Sequence, residues 1–260
     1  ILIVIMPMRR DIMESIHELK QEVLEANLAL VTNKLVISTW GNVSGYDPES
    51  GIFVIKASGV PYSALREEHM VAVELSGKII DTKYRPSSDT NTHRIIYSHF
   101  SEKGIRGIVH THSQYASIWA QLGRALPCFG TTHADYFDGE IPCTEELTDD
   151  EILEGYEKYT GISIINAMRD KDPLRVPAAF VIHHGPFAWG ETPEKGVMNS
   201  VVLEYICKMA IMMNIVDPNI RPLREAILRK HQDRKYGVNA YYGQISKSNQ
   251  PIKSDKQDKE

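Results

Sequence analysis

The hydrophobic period changes at Trp40-Gly41-Asn42, and no other feature of the chain constrains its fold as much. Before that point Ile12, Ile16, Leu19, Val23, Ala26 and Leu30 recur at intervals of three and four, the mark of one face of an amphipathic helix. After it, residues 52–56 and 70–75 are short β-branched runs, and Ser76-Gly77 ahead of Lys78-Ile79-Ile80 reads as a hairpin turn. Residues 105–111, 161–165 and 179–183 read as further strands, and residues 113–122, 194–213 and 223–236 as helices. Pro86-Ser87-Ser88-Asp89 supplies the small polar residues that cap a helix starting near Thr90. Helices mixed with hairpins, without regular βαβ alternation, predict one α/β or α+β domain on a mainly antiparallel sheet.

Composition removes several classes of function. With 260 residues, 42% apolar and 24% charged, the chain has the balance of an ordinary globular domain. Lys and Arg total 29 against 34 for Asp and Glu, a formal charge of −5, which argues against a broad basic face for nucleic acid. The apolar residues 1–5 run into Pro7 and Arg9-Arg10, a pattern of neither a signal peptide nor a membrane span, and no other apolar run predicts a crossing. Cys128, Cys143 and Cys207 include no Cys-x-x-Cys pair, so neither a disulfide framework nor a thiolate zinc site is expected, and a reducing cytoplasm is. Residues 245–260 are almost all polar and predict a disordered tail.

Ten histidines are more than such a chain needs, and their placement carries chemistry. His110 and His112 end an apolar strand, and alternation puts both imidazoles on one face, roughly 7 Å apart along the backbone. Val181-Ile182-His183-His184-Gly185 is a second strand end, from which one histidine can reach the same point. Three imidazoles with open positions are the arrangement of a catalytic metal site. Asp89 is a candidate fourth ligand; helix capping is the more frequent use of such a residue, and both roles fit if only one carboxylate oxygen is committed to the cap. Gly41-Asn42-Val43-Ser44, Lys56-Ala57-Ser58-Gly59 and Ser87-Ser88 fall near element ends, where backbone N–H groups and hydroxyls form anion nests, with Lys56 as a point charge.

Thr39-Trp-Gly-Asn-Val-Ser44, Phe53-Val-Ile-Lys-Ala-Ser-Gly-Val60, Arg85-Pro-Ser-Ser-Asp-Thr90, Ile108-Val-His-Thr-His-Ser113, Gly130-Thr-Thr-His-Ala-Asp-Tyr-Phe137, His184-Gly-Pro-Phe-Ala-Trp-Gly190 and Ala240-Tyr-Tyr-Gly-Gln244 resemble the class II aldolase and epimerase family. The resemblance spans residues 15–244, leaving an extension of residues 1–14 and the tail of residues 245–260. It implies a three-layer αβα domain. It implies one divalent ion per subunit, zinc or another such as manganese or cobalt, on Asp89, His110, His112 and His184. It implies a substrate phosphate around Gly41, Asn42, Lys56, Ser58, Gly59, Ser87 and Ser88, with Thr131, Glu157 and His231 near the substrate. It also implies acid/base roles for Asp135 and for Tyr242, the latter reaching into the neighbouring subunit, with active sites at the subunit interfaces of a homotetramer. Two residues depart from the pattern: Ala57 stands where relatives commonly carry proline, and His183 replaces a smaller residue, which leaves it as an alternative ligand or a neighbour of one.

The implied reaction is epimerisation at C4 of L-ribulose 5-phosphate to D-xylulose 5-phosphate. C4 is not adjacent to the C2 carbonyl, so its hydrogen is not acidic and inversion requires breaking and remaking the C3–C4 bond. The nearest rival is a sugar-phosphate aldolase of the L-fuculose-1-phosphate type, where a longer Glu usually stands at the position of Asp89 and the fragments depart. A non-catalytic scaffold like the adducin head is opposed by the presence of His110, His112, His184, Asp135 and Tyr242. A cupin-type oxygenase is opposed by the long amphipathic helices.

Overall fold

In a computed structural model the described residues are 2–81, 83–238 and 240–241; Tyr242 and the polar tail lie outside them. The elements run α1 (Leu2–Thr32), β1 (Asn42–Asp47), β2 (Ile52–Lys56), β3 (Met70–Glu74), β4 (Ile79–Asp81), α2 (Thr90–Phe100), β5 (Gly107–His110) and α3 (Gln114–Gln121). They continue as α4 (Thr131–Ala134), α5 (Asp149–Ala167), β6 (Ala178–Val181), β7 (Gly185–Gly190), α6 (Pro193–Val216) and α7 (Glu225–Tyr236). The strands form one sheet in the order β4-β3-β2-β1-β5-β7-β6, with every pair antiparallel.

Both faces of the sheet are covered, which explains why residues 52–56 read as a continuous apolar run. Ile52 and Val54 pack with Ile16, Leu19, Val23, Ala26 and Leu30 of α1 on one side. Phe53 and Ile55 join Ile96, Tyr97, Trp119 and Ile164 on the other. From Ile16 to Leu30 the α1 periodicity is thus a core stripe, and the helix itself starts at Leu2.

Gly45, Gly107 and Gly190 lie side by side across β1, β5 and β7 and seat the N-terminus of α6. A Cβ on Gly107 would stand 2.4 Å from the Pro193 nitrogen and the Thr192 carbonyl oxygen. Gly107→Ala should therefore lower stability by about 1–3 kcal/mol, visible as an earlier midpoint in urea unfolding. An unmoved midpoint would contradict this seating.

Three expectations need correction. Residues 161–165 are not a strand but the interior of α5, whose start is fixed by a Thr148–Glu151 capping box. The β-branched Ile162, Ile164 and Ile165 suggested a strand, but Gly161 lets α5 approach α2 so closely that a Cβ there would lie 2.7 Å from Ile95 Cβ. The strand after residue 179 ends at Val181, His183 takes φ 58° in the turn, and β7 follows, masked in the sequence by its glycines and Pro186. Finally, α6 has 24 residues and a window of mean hydropathy 1.3, long and apolar enough to cross a membrane by length and composition alone. Half of that window is buried inside this domain, where Val202, Leu203 and Ile206 join the core.

Candidate metal centre and anion pocket

The register of three strands brings the histidines together. His110 ends β5 opposite Asn42 of β1 on one side and Phe187 of β7 on the other, and His184 immediately precedes β7. The approach is close enough to demand glycines at two points. Gly41 has φ 79°, and a Cβ there would lie 2.8 Å from the His110 carbonyl oxygen; one on Gly185 would lie 2.8 Å from that of Thr111. The His110 ring stacks on Phe187 at 4.2 Å and 17°, and its Nδ1–H donates to the Pro186 carbonyl at 3.0 Å. Its Nε2 is thereby left as a bare lone pair.

His112 Nε2 lies 3.0 Å from His110 Nε2 and 3.2 Å from His184 Nε2. One ligand atom from each of the three rings falls within 4.8 Å of the others. Burial, reinforced by the neighbouring imidazoles, pushes His184 down to about 4 and lowers His112. With their pKa values lowered, His112 and His184 are uncharged near neutral pH, and lone pairs crowded at this distance repel unless a cation joins them. The donor set therefore suits a divalent ion of the zinc type.

Asp89 borders the same space at the N-cap position of α2, yet its side chain makes no capping hydrogen bond. Its Oδ2 instead accepts from Asn42 Nδ2 at 2.7 Å and from Ser87 Oγ at 3.4 Å. Burial pushes its pKa up, but His110, His93 and the Asn42 hydrogen bond outweigh that and hold it below the usual carboxylate value. The carboxylate is thus kept ionised beside the imidazoles rather than spent on the helix.

These groups line one cavity of about 380 Å³. It contains Gly41, Asn42, Lys56, Ser58, Gly59, Ser87, Ser88, Asp89, His110, His112, Glu157 and His184, twelve of the residues singled out in the sequence. The loops carrying Ser58 and Ser87 are zipped together by Ser58 N–H to the Arg85 carbonyl and Ser87 N–H to the Lys56 carbonyl, each at 2.9 Å. Lys56 is 2% exposed; its Nζ donates to the Ala57 carbonyl at 3.2 Å and sits over the Tyr62 ring. Among the described residues no carboxylate pairs with it, and burial pushes it down to about 8. A buried ammonium without a counter-charge, next to serine hydroxyls and the N-terminus of α2, is a place for an anion.

Thr131, Asp135 and His231 lie elsewhere. Asp135 is the C-cap residue that follows α4 and is gripped by α7: Arg234 donates through Nη2 to both carboxylate oxygens at 2.8 and 2.7 Å, and His231 Nδ1 lies 2.9 Å from Oδ1. Lys235 Nζ donates to the Asp135 carbonyl at 2.7 Å. His183 does not join the cluster either, since its Nε2 faces Glu146 at 2.8 Å. Sequence reasoning missed Tyr156, which lines the cavity and touches His184, and Trp40, whose ring lies 6.2 Å from that of His112. Trp40 stood inside a quoted motif; Tyr156 offered no signal beyond its neighbour Glu157.

An antiparallel sheet between helix layers, with three imidazoles gathered at neighbouring strand ends and a carboxylate from the start of α2 lining the same cavity, defines a class II aldolase-type domain. The chain belongs to that family: the model of the Class II Aldolase and Adducin N-terminal domain matches residues 21–211. Its relatives include L-ribulose-5-phosphate 4-epimerase UlaF of Salmonella paratyphi A, 46% identical over 228 residues, which cover 88% of this chain and 99% of that protein. The protein of the same description from Salmonella paratyphi C is 47% identical over the same shares. Among solved structures, an L-fuculose 1-phosphate aldolase superposes with a TM-score of 0.73 at 22% identity, covering 84% of this chain and 95% of the other. L-fuculose-1-phosphate aldolase from Thermus thermophilus gives 0.61 at 22% identity, covering 77% and 97%. At such identities the structural likeness bears on the fold alone.

Proposed function

We propose that this chain is a metal-dependent 4-epimerase that interconverts L-ribulose 5-phosphate and D-xylulose 5-phosphate. The observation that carries the reading is the one cavity that sets three converged imidazoles and an ionised Asp89 beside the unpaired buried Lys56. The relatives described as L-ribulose-5-phosphate 4-epimerases, at 46% identity over nearly their whole length, support it.

Asp89, His110, His112 and His184 hold one zinc, manganese or cobalt ion per subunit. When bound, the ion supplies Lewis acidity toward negative charge developing on the C2 and C3 oxygens. Lys56, Ser58, Gly59, Ser87 and Ser88, with Gly41 and Asn42, hold the phosphate. A base removes the C4 hydroxyl proton, the C3–C4 bond breaks, and dihydroxyacetone enediolate and glycolaldehyde phosphate form. The phosphate pocket tethers the aldehyde while it turns its other face, and re-addition with proton return to the C4 oxygen completes inversion.

Protons must be handled on two faces, by Asp135 and Tyr242. Asp135 lies outside the cavity of its own chain, which supports a homotetramer in which one subunit lends Asp135, Thr131, His231 and Tyr242 to a neighbour's cavity. Glu157 faces the substrate from the cavity wall. We take residues 15–244 as the catalytic unit, and place it in the cytoplasm, where three free thiols are at home.

Steady-state kinetics on Lys56→Met test the phosphate assignment. Losing a charge-assisted hydrogen bond to the phosphate should raise KM by about 10- to 100-fold. In the unaltered protein Lys56 carries its charge below about 8 and loses it as pH rises through that value, so KM should climb there. The variant's KM should show no such rise. A KM unchanged by the substitution would contradict the assignment.

A further inference from the structure

The three imidazoles are not held equally. His110 is buried and fixed by the Pro186 carbonyl and the Phe187 ring, whereas His184 is only half-buried and follows the positive-φ residue His183 in a turn. Its Nδ1 lies 3.0 Å from the Tyr156 hydroxyl, and the two rings lie at 6.1 Å and 22°.

Tyr156 reaches that position through a break in α5. The backbone leaves helical geometry at Gly155, with ψ 85°, one residue before Tyr156. The carbonyls of Tyr156 and Glu157 are both pinned: Thr160 Oγ1 donates to the first at 2.8 Å and Thr92 Oγ1 to the second at 2.7 Å.

We infer that Tyr156 is a positioning residue for the metal centre, fixing His184 in the tautomer that donates Nδ1–H to the phenol oxygen and turns a bare Nε2 toward His110 and His112. A ligand whose far nitrogen is hydrogen-bonded is fixed in ring orientation and made more basic, and losing such a partner typically costs about 10- to 100-fold in metal affinity. The inference rests on the reading that these imidazoles hold the ion.

The test is zinc binding to metal-stripped full-length protein in competition with a chromophoric chelator, for the unaltered chain, Tyr156→Phe, Tyr159→Phe and His112→Ala. Tyr156→Phe should bind zinc about 10- to 100-fold more weakly with an unchanged unfolding midpoint of the metal-free protein. Tyr159→Phe, on the same helix but bonded to Glu154, should bind like the unaltered chain. Cobalt bound to Tyr156→Phe should show a shifted visible spectrum. If Tyr156→Phe matches the unaltered protein in affinity and spectrum, or Tyr159→Phe weakens binding as much, the inference fails while the metal centre stands. If His112→Ala binds zinc as tightly as the unaltered chain, the metal-site reading fails and the inference with it.

Discussion

His112→Ala is expected to lower turnover of L-ribulose 5-phosphate by about 10³-fold or more, since Lewis-acid stabilisation of several kcal/mol corresponds to about three decades at roughly 1.36 kcal/mol each. The loss should fall on kcat, because the phosphate pocket is untouched, and zinc content of the purified protein should drop in parallel. His112 suits the test better than His110. His110 is 1% exposed and stacked in the core, so its loss would disturb packing, whereas His112 is exposed at the cavity edge. Near-normal kcat in a zinc-free His112→Ala protein would remove the metal from the mechanism.

Asp135→Asn is expected to reduce kcat by about 10²–10⁴-fold, the usual worth of a positioned acid/base group, with little change in KM. The carboxamide keeps the shape of the side chain, so the contacts from α7 lose charge rather than volume. Because Asp135 sits away from its own chain's cavity, the two dead variants should rescue each other. Unfolding and refolding His112→Ala and Asp135→Asn chains together pairs an intact cavity with an intact Asp135 in some interfaces. Random assembly at equal amounts gives roughly a quarter of unaltered activity. A mixture as inactive as its parts would contradict a shared active site.

The fold and site were legible in the sequence to different depths, for physical reasons. The α1 stripe, the hairpin of β3 and β4 and the α2 start were readable because periodicity and turn chemistry are local. β7 was not, since Gly185, Pro186 and Gly190 look like breakers; the two glycines serve tight packing against Thr111 and α6. The isoleucines of α5 look like a strand for an equally local reason, and only the contact of Gly161 with α2 decides otherwise.

The imidazole cluster was readable because His112 follows two residues after His110, the last residue of β5, and His184 precedes a glycine at a neighbouring strand end, although β5 stops at His110 and does not extend to His112. The grip of α7 on Asp135 links residues about a hundred positions apart, and no local pattern announces it. Tyr156 depends on a helix break that intrinsic propensity does not place. Asp89 shows the limit of motif reading, since a residue in a capping position turns its carboxylate to Asn42 and Ser87, at the edge of the histidine cavity, instead.

The most direct test of the whole account follows L-ribulose 5-phosphate in a coupled assay for D-xylulose 5-phosphate, with and without thorough chelation, while free dihydroxyacetone is measured in the same samples. The account predicts D-xylulose 5-phosphate as the main product, activity abolished by chelation and restored by zinc, manganese or cobalt, and no more than traces of dihydroxyacetone. Dihydroxyacetone as main product would make the chain an aldolase, and epimerisation unaffected by metal removal would contradict the metal-dependent mechanism itself.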